Sequence, residues 1–347
     1  MVFRAGAFDE LAAETARLGE RALILTTPGH AALGERAQAA LGARAAGHFA
    51  GARLHVPTEI AARAIAQARL VHADCCVALG GGSTTGLAKA IALELALPIL
   101  VVPTTYAGSE MTPIWGLTDA RTKRTGRDAR ALPRTVLYDP VLTLDLPVAV
   151  SVASGLNAMA HAVEGLYAQS VSPLTSLMAE ESIRAFGKSL PAIAAEPKDL
   201  AARSEALCGA WLAGTILGSV GMALHHKLCH VLGGSFDLGH AETHTIVLPH
   251  AVAYNAAAAP QAMSRIERAL GVRDAAQGLY DFARALGARM ALKDIGMPAD
   301  AIDRAVTLAT ERPYYNPAPL DPLALRRLIE NAYEGRRPQE RSHGESH

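Results

Sequence analysis

Short apolar runs alternate with helical patterns through the first 150 residues of the chain, and then the runs stop. Arg21–Thr27 (RALILTT) reads as a strand closed by Pro28–Gly29, with Ala31–Leu41 as the helix after it. In Pro57–Ala73 the apolar Ile60, Ala64, Ala68 and Val71 recur at helical spacing. Cys75–Leu79 is a continuous apolar run of strand length, followed by Gly80–Gly81–Gly82–Ser83 and a helix over Thr85–Leu95. Pro98–Val102 and Thr135–Tyr138 read as further strands. Strands alternating with helices predict a parallel sheet covered on both faces. Between Met111 and Arg134 the pattern breaks into polar, turn-rich sequence, which predicts a hairpin excursion.

From Ser151 onward the strand signal is gone. Ser154–Gln169, Pro173–Phe186, Leu200–Gly218, Met222–Leu232, Ala262–Leu270, Ala275–Leu286 and Ala299–Ala309 read as helices rich in Ala and Leu. The chain is therefore expected to hold an α/β domain over residues 1–150 and an all-helical domain over 151–347. The boundary is expected near Leu146–Val150, after the turn at Asp139–Pro140. No repeat of solenoid period is visible.

Composition narrows the partners. The net charge is zero and 19% of residues are charged, so no nucleic acid or anionic membrane is expected to be drawn in by bulk charge. Any anionic ligand must be held by local groups. No apolar run of about 18 residues is present, and Arg4, Asp9 and Glu10 break up the start, so neither a membrane span nor a leader is expected. Cys75, Cys76, Cys208 and Cys229 form no C-x-x-C pair, and read as small buried hydrophobes in a reducing cytoplasm. The polar stretch Glu334–His347 is expected to be disordered, which sets His343 and His347 aside as site candidates.

Two features carry chemistry. The first is the strand–GGGS–helix segment: glycines let backbone approach an anion, and a helix start offers N–H groups and the positive end of its dipole. Gly80, Gly81, Gly82, Ser83 and Thr84 are thus candidates for holding a dinucleotide pyrophosphate, with Lys89 on the helix that follows. The order differs from G-x-G-x-x-G, so this is not the usual Rossmann turn. Thr104 and Thr105 end the next strand, where doubly wound sheets present ligand-facing side chains.

The second feature is histidine. Seven of the thirteen histidines lie between His161 and His250. Asn157 and His161 share a helix face at i, i+4, His226 and His230 repeat the spacing, and His240 follows a Gly-rich break. Imidazoles gathered from separate segments suit a divalent metal of the zinc or iron kind, and suit equally a pocket that binds substrate and moves protons. His225, His244 and His250 read as core histidines.

With the GGGS loop, Pro103–Thr104–Thr105, the segment Asp139–Pro147 and the spaced histidines in this order, the chain resembles the iron-containing (group III) alcohol dehydrogenase family from Val2 to Tyr333. The resemblance implies a dehydroquinate synthase-like fold. The segments GGGSTTGLAK (Gly80–Lys89), PTTYAGSEMTPIW (Pro103–Trp115), SGLNAMAHAVE (Ser154–Glu164) and YYNP (Tyr314–Pro317) look like its maleylacetate reductase branch, as does TGRDARALPRTVLYDP within Thr125–Pro140. Family alcohol dehydrogenases usually carry Asp at the position of Gly86. The branch implies NADH- or NADPH-dependent reduction of the C=C bond of 2-maleylacetate to 3-oxoadipate in aromatic-compound breakdown, by a cytoplasmic homodimer.

Carried over position by position, the family's metal ligands fall on Asn157, His161, His226 and His240, and a further active-site histidine on His230. The first ligand is an Asp in the family. An amide there removes a negative charge from a site for a dication, which puts the iron or zinc in doubt. Tyr314 and Tyr315 are candidates to assist catalysis, and Thr27, Lys123 and Leu142 to meet the dinucleotide. The family often has an Asp after the first strand. Thr26–Thr27–Pro28 stands there instead, so NADPH is expected to be accepted as well as NADH. Lys227, Arg312 and Lys123 are candidates for the substrate carboxylates. The segment matching Val2–Phe8 is not preceded here by the extra strand of many family members. The alternatives are a metal-dependent alcohol or polyol dehydrogenase of the same fold, and a dinucleotide-binding sensor without turnover.

Overall fold

A computed structural model describes residues 1–119 and 122–338, the side chains of Thr122 and Lys123 excepted. His343, His347 and the Lys123 side chain lie outside the described residues. The chain divides into two compact units, Met1–Leu146 with Pro197–Leu207, and Pro147–Glu196 with Cys208–His347.

The first unit is built on a six-stranded parallel sheet in the order β1-β8-β5-β4-β2-β3. Its strands are β1 (Val2–Phe3), β2 (Ala22–Leu25), β3 (Ala45–Phe49), β4 (Cys75–Gly80), β5 (Ile99–Pro103) and β8 (Thr135–Tyr138). Successive side chains of a strand point to opposite faces. Leu23, Leu25, Cys76, Ala78 and Val101 therefore pack with Ile60 and Ala64 of α3 (Thr58–Leu70) and Leu87 and Ile91 of α4 (Gly82–Leu95). Ile24, Cys75, Val77, Leu79 and Leu100 pack on the other face with Leu11 of α1 (Leu11–Ala16) and Ala37 and Leu41 of α2 (Ala31–Leu41). The central strands β2, β4 and β5 are wholly buried, which is why they read as unbroken apolar runs.

The hairpin excursion is β6 (Ile114–Asp119) paired antiparallel with β7 (Thr122–Arg127), Ile114 opposite Arg127. Its root is pinned by Lys89 from α4. The fully buried ammonium donates to the Ser109, Thr112 and Ile114 carbonyls at 2.7, 2.9 and 2.7 Å. Lys89 is therefore spent on architecture and leaves no charge for a phosphate, contrary to its expected place beside the loop.

The second unit is helical: α5 (Val148–Gly165), α6 (Pro173–Ala195), the later part of α7 (Leu200–Ser219), α8 (Leu224–Phe236), α9 (His240–Asn255), α10 (Pro260–Leu270), α11 (Ala275–Ala285), α12 (Ile302–Thr310) and α13 (Pro322–Glu334). Leu224, Leu228 and Leu232 of α8, Val247 and Ala251 of α9, and Leu325 and Ile329 of α13 share one core. Among the described residues no single helix is long and apolar enough to cross a membrane.

The segment Pro197–Leu207 groups with the first unit although the sequence pattern runs on as helix. Arg203 explains the grouping. Its fully buried guanidinium donates to the Tyr106 hydroxyl at 3.2 Å, the Leu146 carbonyl at 2.9 Å and the Pro197 carbonyl at 2.9 and 3.0 Å. A charge so buried must be met by acceptors, and those acceptors belong to the first unit.

Candidate functional site: a phosphate loop and an imidazole cluster

In the first unit, β4 ends on Gly80 with φ +142°, a conformation that only glycine adopts easily. Gly81 follows as N-cap of α4. A Cβ on Gly81 would stand 2.8 Å from the Thr105 hydroxyl, so the strand end of β5 presses against bare backbone. The Thr104 N–H donates to the Gly80 carbonyl at 3.0 Å, while the buried Thr104 hydroxyl has no partner. A cradle that excludes side chains, an orphaned hydroxyl and a helix start together suit a phosphate-bearing nucleotide.

The other candidates of this unit divide. Ser83 is half-buried at the first turn. Thr84 is fully buried and its hydroxyl donates back to the Gly81 carbonyl at 2.9 Å, so that proton serves the turn. Thr27 caps the segment before α2, its hydroxyl 2.9 Å from His30 Nδ1. Leu142 packs against the core beside Phe8 and Leu11. Gly86 lies against Val56: a Cβ there would stand 2.7 Å from the valine methyl, leaving no room for an acidic side chain.

In the second unit α5, α8 and α9 bring six of the seven histidines together. His161 Nδ1 lies 2.7 Å from His226 Nε2, and His226 Nδ1 lies 2.6 Å from Glu164 Oε2. Asn157 Nδ2 is 3.5 Å from His161 Nε2, and Asn157 Oδ1 is buried without a partner. The His240 ring packs edge-on against His244 at 4.4 Å between centroids, and His230 stands 6.4 Å from His226. His230 is exposed and His240 half-buried, whereas Asn157, His161 and His226 keep only 6%, 4% and 5% of their surface open. The open edge of the cluster is therefore formed by His230 and His240. His250 is buried apart from them, its Nε2 unpartnered.

Behind these lies a dry layer. His225 Nε2 and His244 Nδ1 are 2.9 Å apart, and both rings are fully buried. Burial, and then the neighbouring imidazoles, hold both well below the usual histidine range, so both stay neutral. Cys229 Sγ sits 3.7 Å from His225 Nε2 and is pushed well above the usual thiol range by burial. This trio supports the cluster from behind, as the core reading of His225 and His244 expected.

Glu164 has no exposed surface, and the sequence pattern did not single it out. Its carboxylate accepts from the backbone N–H groups of Ala223, His225 and His226 at 3.0, 2.7 and 3.3 Å besides the His226 ring. The signal was present in the spacing, because Asn157, His161 and Glu164 stand at i, i+4 and i+7 on one face of α5. Tyr314 packs against the helical core, its hydroxyl buried without a partner and Lys227 Nζ 5.9 Å from its ring centroid. Tyr315 and Arg312 are exposed.

A dication does not fit these donors as they stand. His226 Nε2, the nitrogen it would offer because Nδ1 faces Glu164, is taken up at 2.7 Å by His161 Nδ1. The fourth position offers a neutral amide, and Glu164 is turned away into backbone N–H groups.

Residues 1–140 match the family described as iron-containing alcohol dehydrogenase, and residues 151–333 match the C-terminal part of the Fe-containing alcohol dehydrogenase family. The chain is 58% identical over 339 residues to a maleylacetate reductase of Burkholderia cepacia, covering 97% of this chain and 96% of that one. It is 55% identical over 338 residues to a maleylacetate reductase of Sphingobium indicum, with 97% and 96% covered. A solved maleylacetate reductase from Agrobacterium tumefaciens superposes with a TM-score of 0.93 at 50% identity, covering 97% of this chain and 96% of that one.

Proposed function

Since this chain belongs to the iron-containing alcohol dehydrogenase family, we propose that it is a maleylacetate reductase, an NAD(P)H-dependent oxidoreductase that reduces 2-maleylacetate to 3-oxoadipate. The observation that carries this reading is its identity of more than half over nearly full length with relatives of that name. It works in the cytoplasm as a homodimer in aromatic-compound catabolism.

Gly80, Gly81, Gly82 and Ser83 hold the pyrophosphate on the α4 start, and Thr104, Thr105 and Thr27 bind the rest of the dinucleotide. The substrate is a dicarboxylate whose alkene is conjugated to a ketone. The reduced nicotinamide, when bound, supplies a hydride to the alkene carbon β to that ketone. The remaining tasks are to stabilise the enolate oxygen and to protonate the α carbon. At the open edge of the cluster His230 supplies the proton to the α carbon and His240 donates to the oxygen, while Asn157, His161 and His226 line the floor. Lys227 stands beside Tyr314 for a carboxylate. No step uses a metal.

One assay tests the reading: NADH and NADPH oxidation with maleylacetate, before and after EDTA. Turnover is expected with both cofactors, with kcat/KM values within about a hundredfold of each other, and undiminished by chelation. Alcohol oxidation restored by iron or zinc would instead make the chain a metal-dependent alcohol dehydrogenase. Nucleotide binding without any turnover would make it a sensor.

A further inference from the structure

Val56, in the bend before α3, has φ +48°, and His55 before it has φ +61°, both in the left-handed region. A β-branched residue is an outlier there, because its methyls crowd its own backbone, and it persists only where its surroundings hold it. Two neighbours do so. The first is the hairpin: Thr118 of β6 donates its hydroxyl to the His55 carbonyl at 2.9 Å and its N–H to the Val56 carbonyl at 3.2 Å. Pro57 then forms a parallel bridge with Thr118. The second neighbour is α4. The buried Val56 side chain shares a core with Leu87 and Ile91, and one of its methyls fills the notch over Gly86. Outside its own helix, a Cβ on Gly86 would meet only that methyl among the described residues, at 2.7 Å.

Gly86 stands four residues after Gly82, where α4 begins, and so shares its face one turn in. Lys89, further along α4, ties the same helix to the root of β6. The hairpin is thus joined to α4 at both ends of β6, through Lys89 at the root and through Thr118 and Val56 beyond it.

We propose that Val56 is a positioning residue for the dinucleotide: held by Thr118 in a strained conformation, it wedges against Gly86 and sets the α4 start where its N–H groups meet the pyrophosphate. The first N–H groups of a helix have no acceptor within it, so their aim depends on where the helix is pressed. A close-packed interior transmits such a push rather than absorbing it. Val56 touches no phosphate in this role, and the hairpin becomes the brace of the nucleotide site. The proposal rests on the reading of Gly80–Ser83 as the pyrophosphate cradle.

The test is an exchange of size across the contact, read by NADPH titration calorimetry on the full chain. Val56→Ala removes the wedge and is expected to raise the Kd for NADPH at least about fivefold. Gly86→Ala alone drives methyl against a stiff valine and should raise it about as much. The double variant Val56→Ala/Gly86→Ala returns a methyl to the notch from the other side, so Kd is expected to recover to within about twofold of wild type. KM for NADPH should follow Kd, while kcat at saturating NADPH stays within about twofold. A valine that only fills the core would show no such recovery. Thr118→Val keeps the wedge but removes one tether, and should raise Kd about threefold; this variant decides if those at Val56 do not fold. The proposal is overturned by a Kd within about twofold of wild type in folded Val56→Ala or Thr118→Val, or by a double variant no tighter than its weaker parent. A wild-type chain that binds neither NADPH nor NADH would overturn the cradle reading, and the wedge with it.

Discussion

Burial of His250 lowers its pKa from 6.5 to about 4, and its Nε2 has no partner inside the fold. The unfolded chain therefore binds a proton at this residue at a pH where the folded chain does not. The stability it contributes is fully present above pH 6.5 and is lost as pH falls through about 4, to the extent of about 3 kcal/mol. His225 and His244 act in the same sense. Urea midpoints measured from pH 7 to pH 4 should fall steeply for the wild type and less steeply for His250→Gln. Equal slopes would mean that His250 is protonated in the fold. Asn157 invites a second test. Asn157→Asp restores a carboxylate beside His161 Nε2, and bound iron or zinc after metal loading should rise to near one ion per chain by elemental analysis. Maleylacetate turnover should fall, because a charged carboxylate then replaces the neutral amide in the floor of the site. At this scale the sequence displayed the histidines, whose i, i+4 spacing stands out in Ala-rich helices. It hid Glu164, since a lone acid on a helix reads as surface until its backbone donors on α8 are seen.

Elements were legible where pattern and burial agree. The apolar runs of β4, β5 and β8 were read within a residue or two, and the hairpin was placed by its polar content. β3 (Ala45–Phe49, AAGHF) escaped because it pairs with one neighbour only and carries no β-branched residue. α5 begins at Val148 rather than Ser154, tertiary packing overriding the strand-like VAVSV. α6 runs on through Pro191 to Ala195, past the expected end at Phe186, and α9, with Pro249 inside it, was not read as a helix at all. Two element-level tests follow. Lys89→Met leaves three carbonyls, that of Thr112 buried, without their donor at the root of β6 and should lower stability by about 3 kcal/mol, read as a drop in urea midpoint. Gly86→Asp must push the α4 start away from Val56, and should weaken NAD(P)H binding at least tenfold by titration calorimetry. Unchanged affinity would mean that α4 has room that the 2.7 Å approach denies.

For the whole molecule, composition and element order gave the parallel-sheet class and the two-part plan, because each depends on many residues at once. The return of Pro197–Leu207 to the first unit was not legible, for it hangs on one arginine whose acceptors are distant in sequence. That return has a consequence for the order of events during synthesis. The first unit has made its last sheet strand by Tyr138, yet the side chain that fills the space beside Tyr106 and Leu146 arrives only with Arg203. On a ribosome, the amino-terminal unit must wait unfinished while all of α5 and α6 are made. A fragment ending at Leu146 is expected to be released sticky and protease-sensitive, and arrest peptides should report its folding force only once residues beyond Leu207 have left the exit tunnel.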